Sequence, residues 1–290
     1  MELIPVRTPL VTRGDDLVSV LMDSLSLAGI APLREGDVIC VTSKVVSVSQ
    51  GRVVDLTQLA PPVDGWLGAL ETRFGTHLPL PTELQYAKAF AAHPALAALV
   101  LSEAEAVFVG ESAQGWGRVY YTRMDGTWIA NGGVDLSNTP DGTAVLWPKA
   151  PWAWARDFWE RLCEATGTTA LGVVLTDSRV PHLRRGITGV AIAWAGFEGV
   201  QSEIGEPDLY GRPLRVTERA MADDLAAAAV LMSGEADERT PVTLARGAPV
   251  RFTDRPMSRQ EVSVAPDDDL YTGIYSAAFR RIRDAGHSTR

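Results

Sequence analysis

Hydrophobic positions change spacing repeatedly along the chain, and each change marks an expected element. In "GDDLVSVLMDSL", residues 14–25, apolar side chains recur at helical intervals behind two aspartates, so a helix is expected with Asp15 or Asp16 as N-cap. β-Branched residues then crowd positions 38–41 and 45–48 of "EGDVICVTSKVVSVSQGRVVDL". That pattern predicts two strands, parted by a polar break at Thr42, Ser43 and Lys44. Residues 82–112 are rich in alanine and leucine and read as helical, with the best period in "HPALAALVLSEAEAVF" at 93–108.

The second half continues in the same manner. "GRVYYTRMDGTWIANGG" predicts a hairpin turning at Met124, Asp125 and Gly126. Helical spacing returns at Pro151–Thr166, with Gly167 as its stop; Trp152, Trp154 and Trp159 in it, beside Trp147, read as packing residues. "TALGVVLTDSRVP" is a buried strand ending on a polar "TDS", and "RRGITGVAIAWAGFEGV" is a segment of small residues. From Leu209 the pattern runs turn, strand, long alanine-rich helix, acidic loop, strand. The tail, residues 254–290, is more polar, with a helix expected near "YSAAFRRIRDAG".

Composition narrows the function classes. The chain has 290 residues, 46% hydrophobic and 22% charged, which suits a large core in one domain or two lobes. No stretch approaches the roughly 18 consecutive apolar residues of a membrane span. The N-terminus lacks the basic-then-apolar order of a signal peptide, so a cytoplasmic location is expected. A net charge of −9 argues against a nucleic-acid partner. Cys40 and Cys163 are too few for a disulfide framework and read as buried thiols, while four dispersed histidines give little support to a zinc site.

Phosphate and dinucleotide fingerprints are missing: there is no GxxxxGK[ST], and "GITGVAIAWAG" lacks the GxGxxG spacing. No nucleophile elbow surrounds "TDS". What remains is a set of oxygen donors at apparent strand ends: Asp135 in "NGGVDLSN", Asp177 and Ser178 in "TDS", and Glu235 in "MSGEADE". Carboxylates and hydroxyls are preferred by Mg²⁺ or Mn²⁺, ions that commonly bridge to phosphates. Each acid taken singly also fits an ordinary surface loop.

The motifs "IPVRTPLV", "GDVICVTSKVVSVSQGR", "NGGVDLSN", "TDS", "RRGITGVAIAWAG", "DLYGRPLRVT", "ADDLAAAAVLMSGE", "PVTLARG" and "PDDDLYTG" occur in this order. In that order they resemble the coenzyme F420-0:L-glutamate ligases, over residues 3–271. The resemblance implies a two-lobed α+β fold in an intertwined homodimer. A catalytic domain would cover residues 1–250, with lobes near 1–75 with 168–250 and 76–167, followed by a C-terminal extension at 251–290. It implies a GTP-dependent amide ligase using two Mg²⁺ or Mn²⁺ ions, with K⁺ as a further candidate, that phosphorylates a carboxylate and joins it to the amine of L-glutamate.

By matching positions, Asp135 and Asp177 would hold one ion and Ser178 and Glu235 a second. Asn138, the run Pro5, Val6, Arg7 and Thr8, and Ser43 with Lys44 would contact the nucleotide. Arg184, Arg185 and Arg246 are candidates for neutralising phosphate or carboxylate. The chain departs from the family pattern where Val48 replaces a lysine, with Lys44 as a stand-in. It also departs where "TDSRVPHLR" replaces "SDTFGRPWR" and where the hairpin reads "TRMDGTW" instead of "TRHGF". Alternatives are a ligase for another carboxylate acceptor, a non-catalytic nucleotide- or metal-binding paralogue, and an oxidoreductase that binds the deazaflavin.

Overall fold

In the computed structural model, the described residues are 1–30, 32–58, 99–100, 103–104, 106–111, 118–181, 184–265 and 268–271. The chain divides into two units, Met1–Arg52 with Pro148–Val262, and Val53–Trp147 with Ser263–Arg290. The architecture is mixed α and β. The helix Pro151–Thr166 and residues 251–262 belong with the first unit. That helix buries Phe158, Trp159 and Leu162, and the Trp159 indole donates to Leu171 O at 2.7 Å.

The first unit is built on a five-stranded sheet of β1 (Glu2–Val6), β12 (Val242–Arg246), β2 (Asp37–Thr42), β8 (Gly172–Arg179) and β9 (Thr188–Ala195), in that order. β2 and β8 pair in parallel and the other neighbours are antiparallel. β1, β2 and β8 therefore all run in one direction. The unbroken apolar runs Val38–Val41 and Val173–Leu175 suit burial on both faces. Val38, Cys40 and Val174 pack against Met221, Leu225 and Ala229 of helix α4 (Met221–Ser233). On the other face, Val41 and Val242 meet Leu17, Val20 and Leu21 of helix α1 (Leu17–Leu27) and Phe158 of helix α3 (Pro151–Thr166). Each such fully buried aliphatic or aromatic side chain contributes about 1.5–3 kcal/mol.

Asp16 caps α1: its Oδ1 accepts from Val18 N and its Oδ2 from the Ser19 hydroxyl. The strand expected at 45–48 is instead helix α2 (Ser43–Ser49). Gly51, at φ +70°, closes it: Gly51 N donates to Val48 O and Arg52 N to Ser47 O, a Schellman ending. The β-branched run was a misleading signal, because Val46 and Ser47 find burial on a helix face that local propensity does not reveal.

In the second unit, β4 (Ala106–Glu111), β5 (Arg118–Met124) and β6 (Thr127–Ala130) form an antiparallel sheet with the expected turn at Asp125 and Gly126. β3 (Val53–Asp55) pairs with β7 (Thr143–Val145). Leu99 and Val100 are helical as expected, but Ala106–Glu111 is a strand, since pairing with β5 overrides its helical reading. The rest of the 82–112 expectation and the helix near 275–286 lie outside the described residues.

Candidate functional site

Because β1, β2 and β8 run alike, their carboxyl ends meet at one edge of the sheet. Val6, Val242, Val41 and Leu175 stand in one row across it, and Thr42 and Thr176 in the next. Beyond that row β2 passes into α2 at Ser43, and β8 continues through Asp177 and Ser178. Carboxyl ends of parallel strands are where open sheets of this kind present ligand sites.

Two side-chain pairs form there. The Ser43 hydroxyl donates to Asp177 Oδ1 at 2.9 Å, and the Ser178 hydroxyl donates to Glu235 Oε1 at 2.6 Å. Successive residues on a strand point to opposite faces, which is why Asp177 and Ser178 serve separate partners. Glu235 is placed by the end of α4, where Gly234 takes φ +71° and releases the chain into the loop returning to β12. Asp177 is mostly buried and Glu235 exposed.

Two charged groups in this region went unnoticed in the sequence. Arg179 lies two residues beyond Asp177 on the same strand, with its Nε 3.8 Å from Asp177 Oδ2 and only 12% of its side chain exposed. Burial lowers its pKa, partly offset by the charges of Asp177 and Asp223. Asp223, in the first turn of α4, has its pKa raised chiefly by burial, against the opposing effects of Ala191 N–H and Arg179. The β8–β9 register slips between Leu175 and Thr176, leaving Ile192 as an extra residue, and Ala191 N donates to Asp223 Oδ1 at 2.9 Å. A bulge of this kind redirects a backbone group beside a site. The two-residue spacing of Asp177 and Arg179 was the available signal.

The other expected positions divide. Thr8 is buried, and its N–H donates to Arg239 O at the site edge, while Arg7 is exposed. Val6 is fully buried, so its side chain belongs to the core and only its backbone faces the edge. Lys44 is half-buried on α2, and Arg184 and Arg185 are exposed in the β8–β9 connection at the same edge. Arg246 lies away from these positions. It stands four residues along β12 from Val242, roughly 13 Å at strand rise. Its buried guanidinium lies 3.3 Å from Asp37 Oδ1 and donates to Pro32 O, so it neutralises a core carboxylate at the opposite edge.

Asp135 and Asn138 belong to the second unit. Asp135 exchanges both backbone hydrogen bonds with Val145, and its Oδ1 accepts from Ser137 N at 2.7 Å. Asn138 is exposed at φ +52°. The close approach that glycine permits here is internal: a Cβ on Gly133, itself at φ +67°, would run into the Trp147 ring. Trp147 is held in turn by its indole donating to Asp125 Oδ2 at 2.8 Å.

The first unit thus offers carboxylate and hydroxyl oxygens from Ser43, Asp177, Ser178 and Glu235, a donor set that fits Mg²⁺ or Mn²⁺. Among the described residues, no three His, Cys, Asp or Glu side chains gather into one group, so such an ion's shell needs hydroxyls and phosphate oxygens as well.

Comparison with known proteins is decisive for the family. The model described as F420-0:Gamma-glutamyl ligase matches residues 5–247. The chain belongs to this family. It is 34% identical to the "Coenzyme F420:L-glutamate ligase" of Methanothermobacter thermautotrophicus, over 83% of this chain and 86% of that protein. Proteins of the same name from Methanopyrus kandleri and Natronomonas pharaonis are 31% and 35% identical, over 93% and 85% of this chain and 96% and 86% of theirs. The family match begins at Pro5 and ends just past β12, so it contains every donor described above.

Proposed function

We propose that the chain is a nucleotide-dependent amide ligase that joins L-glutamate to the carboxylate of coenzyme F420-0. The observation that carries this reading is the pair of oxygen clusters, Ser43–Asp177 and Ser178–Glu235, at the carboxyl edge of the sheet in a chain of this family. Asp177 with Ser43, and Glu235 with Ser178, would hold Mg²⁺ or Mn²⁺, and Asp135 is a candidate metal ligand in the second unit. Bound there, the ions supply charge neutralisation for a triphosphate beside a carboxylate.

In this reading GTP transfers its γ-phosphoryl group to the substrate carboxylate, breaking the β–γ P–O bond and leaving GDP. The glutamate amine attacks the acyl carbon, forms the C–N bond, loses a proton and displaces phosphate. Residues 5–8, Ser43, Lys44 and Asn138 contact the nucleotide. Arg184 and Arg185 stand exposed at the same edge as Asp177, suited to oxyanions of the phosphates or the acceptor. No helix among the described residues is long and apolar enough to cross a membrane, and a cytoplasmic location belongs to this proposal.

A homodimer is part of the same proposal. It is supported by the excursion of residues 201–219, where β10 (Gln201–Ser202) and β11 (Glu218–Arg219) pair and Leu209, Tyr210 and Val216 are 93%, 80% and 85% exposed. Exposed apolar side chains on one excursion suit burial against a second copy. Light scattering of the purified protein should give twice the chain mass.

Purified protein with GTP, Mn²⁺, L-glutamate and coenzyme F420-0 should release phosphate and yield a product heavier by one glutamyl unit. No product, together with no nucleotide binding by calorimetry, sinks the reading. Phosphate release with other carboxylates and none with F420-0 would instead assign a different acceptor. That outcome has its own motivation in the "RVPHLR" run that follows Ser178.

A further inference from the structure

Arg179 is a cation with no assigned task, set deep beside the proposed donor pair. Its side chain is 12% exposed and lies 3.8 Å from Asp177 Oδ2, while Asp177 Oδ1 takes the Ser43 hydroxyl at 2.9 Å. The carboxylate is thus engaged from both oxygens. Arg179 is itself held in a field of two acids, Asp177 and Asp223. Asp223 is fixed by Ala191 N–H at the β8–β9 bulge, so its position is set by the sheet and not by a mobile side chain.

Burying a guanidinium is costly unless carboxylates accompany it, and here Asp177 and Asp223 supply that opposing charge. A fixed positive charge 3.8 Å from a metal-binding carboxylate repels an incoming cation, and the repulsion is strong where water is excluded. At that separation Arg179 acts on Asp177 through charge, while the Ser43 hydroxyl makes the orienting hydrogen bond.

We infer that Arg179, by its fixed charge beside Asp177, weakens the affinity of this donor pair for a divalent ion. Asp223 moderates it, by offsetting part of the guanidinium charge from α4. The site in this chain therefore takes its ion chiefly with the nucleotide, whose phosphates supply the missing negative charge. The inference rests on the metal-dependent reading proposed above and deepens it.

Mn²⁺ titration of the full chain, followed by the loss of free Mn²⁺ paramagnetic resonance signal without and with GDP, separates the possibilities. Arg179→Gln should bind Mn²⁺ alone about tenfold more tightly than the parent, with a smaller enhancement by GDP. Asp223→Asn keeps an acceptor for Ala191 N–H but removes the charge, and should weaken binding several-fold. Arg179→Lys should stay near the parent value, and the double variant Arg179→Gln/Asp223→Asn should return toward it. Opposite signs in the two single variants are not produced by loss of packing, and circular dichroism melts check that each is folded. Equal affinity in parent and Arg179→Gln, or weakening in both single variants, overturns the inference while leaving the ligase reading in place. A parent chain that binds no Mn²⁺ even with GDP overturns both.

Discussion

The two polar loops with the strongest chemical look in the sequence are built in opposite ways. At the sheet edge of the first unit, side-chain oxygens link positions far apart in the chain: Ser43 to Asp177 across 134 residues, Ser178 to Glu235 across 57. In residues 131–138 of the second unit, Asp135 accepts from Ser137 only two residues on, and Gly133 is small because Trp147 packs on it. The first arrangement exists only when the whole sheet is assembled, because it must overcome loop closure over long segments. The Asp135–Ser137 contact is a local turn of the kind Asp and Asn adopt readily, in a loop that backbone bonds also tie to Thr122 and Val145. Long-range pairing of oxygens is therefore the better mark of a built site, and a local turn needs another reason to be called one.

The sharpest way to break this contrast is to remove one carboxylate charge from each region. Asp177→Asn should lower turnover by at least about 100-fold, measured as phosphate release, because it removes the carboxylate charge that Ser43 orients. Asp135→Asn should also abolish turnover while leaving its turn intact, since the amide oxygen still accepts from Ser137 N. Normal rates in both variants would show that the metal assignment is wrong; a loss in Asp177→Asn alone would leave the 131–138 loop a purely structural turn.

The packing side of the contrast is tested by Gly133→Ala. A side chain there meets both a left-handed backbone and the Trp147 ring, so a destabilisation of about 2–4 kcal/mol is expected in urea unfolding followed by hydrogen exchange of the second unit. Protection in the first unit's β2 and β8 should change far less. Ser178→Ala sharpens the other side: about a tenfold rise in the metal concentration needed for half-maximal rate, with Tm nearly unchanged. An unchanged metal requirement would remove Ser178 from the donor set.

The smallest effect expected is at the Asp16 cap, which serves as a purely structural carboxylate for reference. Asp16→Ala should cost about 1 kcal/mol. The Ser19 hydroxyl, then Arg161 and Val18 N–H, hold the Asp16 carboxyl below its ordinary range. A depressed folded pKa adds stability above the unfolded value, about 3.9, and that stability is lost as pH falls through the folded value. The difference between parent and Asp16→Ala should therefore be full at neutral pH and shrink below about pH 4. A difference that grows on acidification would contradict the cap.

Much of the fold was legible where one residue type has one physical use. Pro151 and Gly167 bracket α3 as their backbone preferences require, Asp16 caps α1, and the central strands betray themselves by unbroken apolar runs. Residues 43–49 and 106–111 were misread because pairing partners, not local propensity, decide them. That Asp177, Ser178 and Glu235 are oxygen-bearing side chains at strand and helix ends was legible, and Asp177 pairs with Ser43 and Ser178 with Glu235 by hydrogen bonds. The burial of Arg246 against Asp37 was not legible, because a basic residue in a loop-like motif does not disclose a buried acid, and Arg179 with Asp223 went unseen because their relation passes through a bulge with no sequence signature.

The helix at 43–49 also changes what the valine at 48 means. In a strand, positions 44 and 48 would sit roughly 13 Å apart; on a helix they are one turn apart, near 6 Å, with the later side chain leaning back toward the earlier one. A cation carried at 44 and a cation carried at 48 thus reach overlapping patches of space. A lineage can slide the charge by one turn without a stage at which the patch is neutral, and installing a lysine at 48 beside Lys44 would set two like charges against each other.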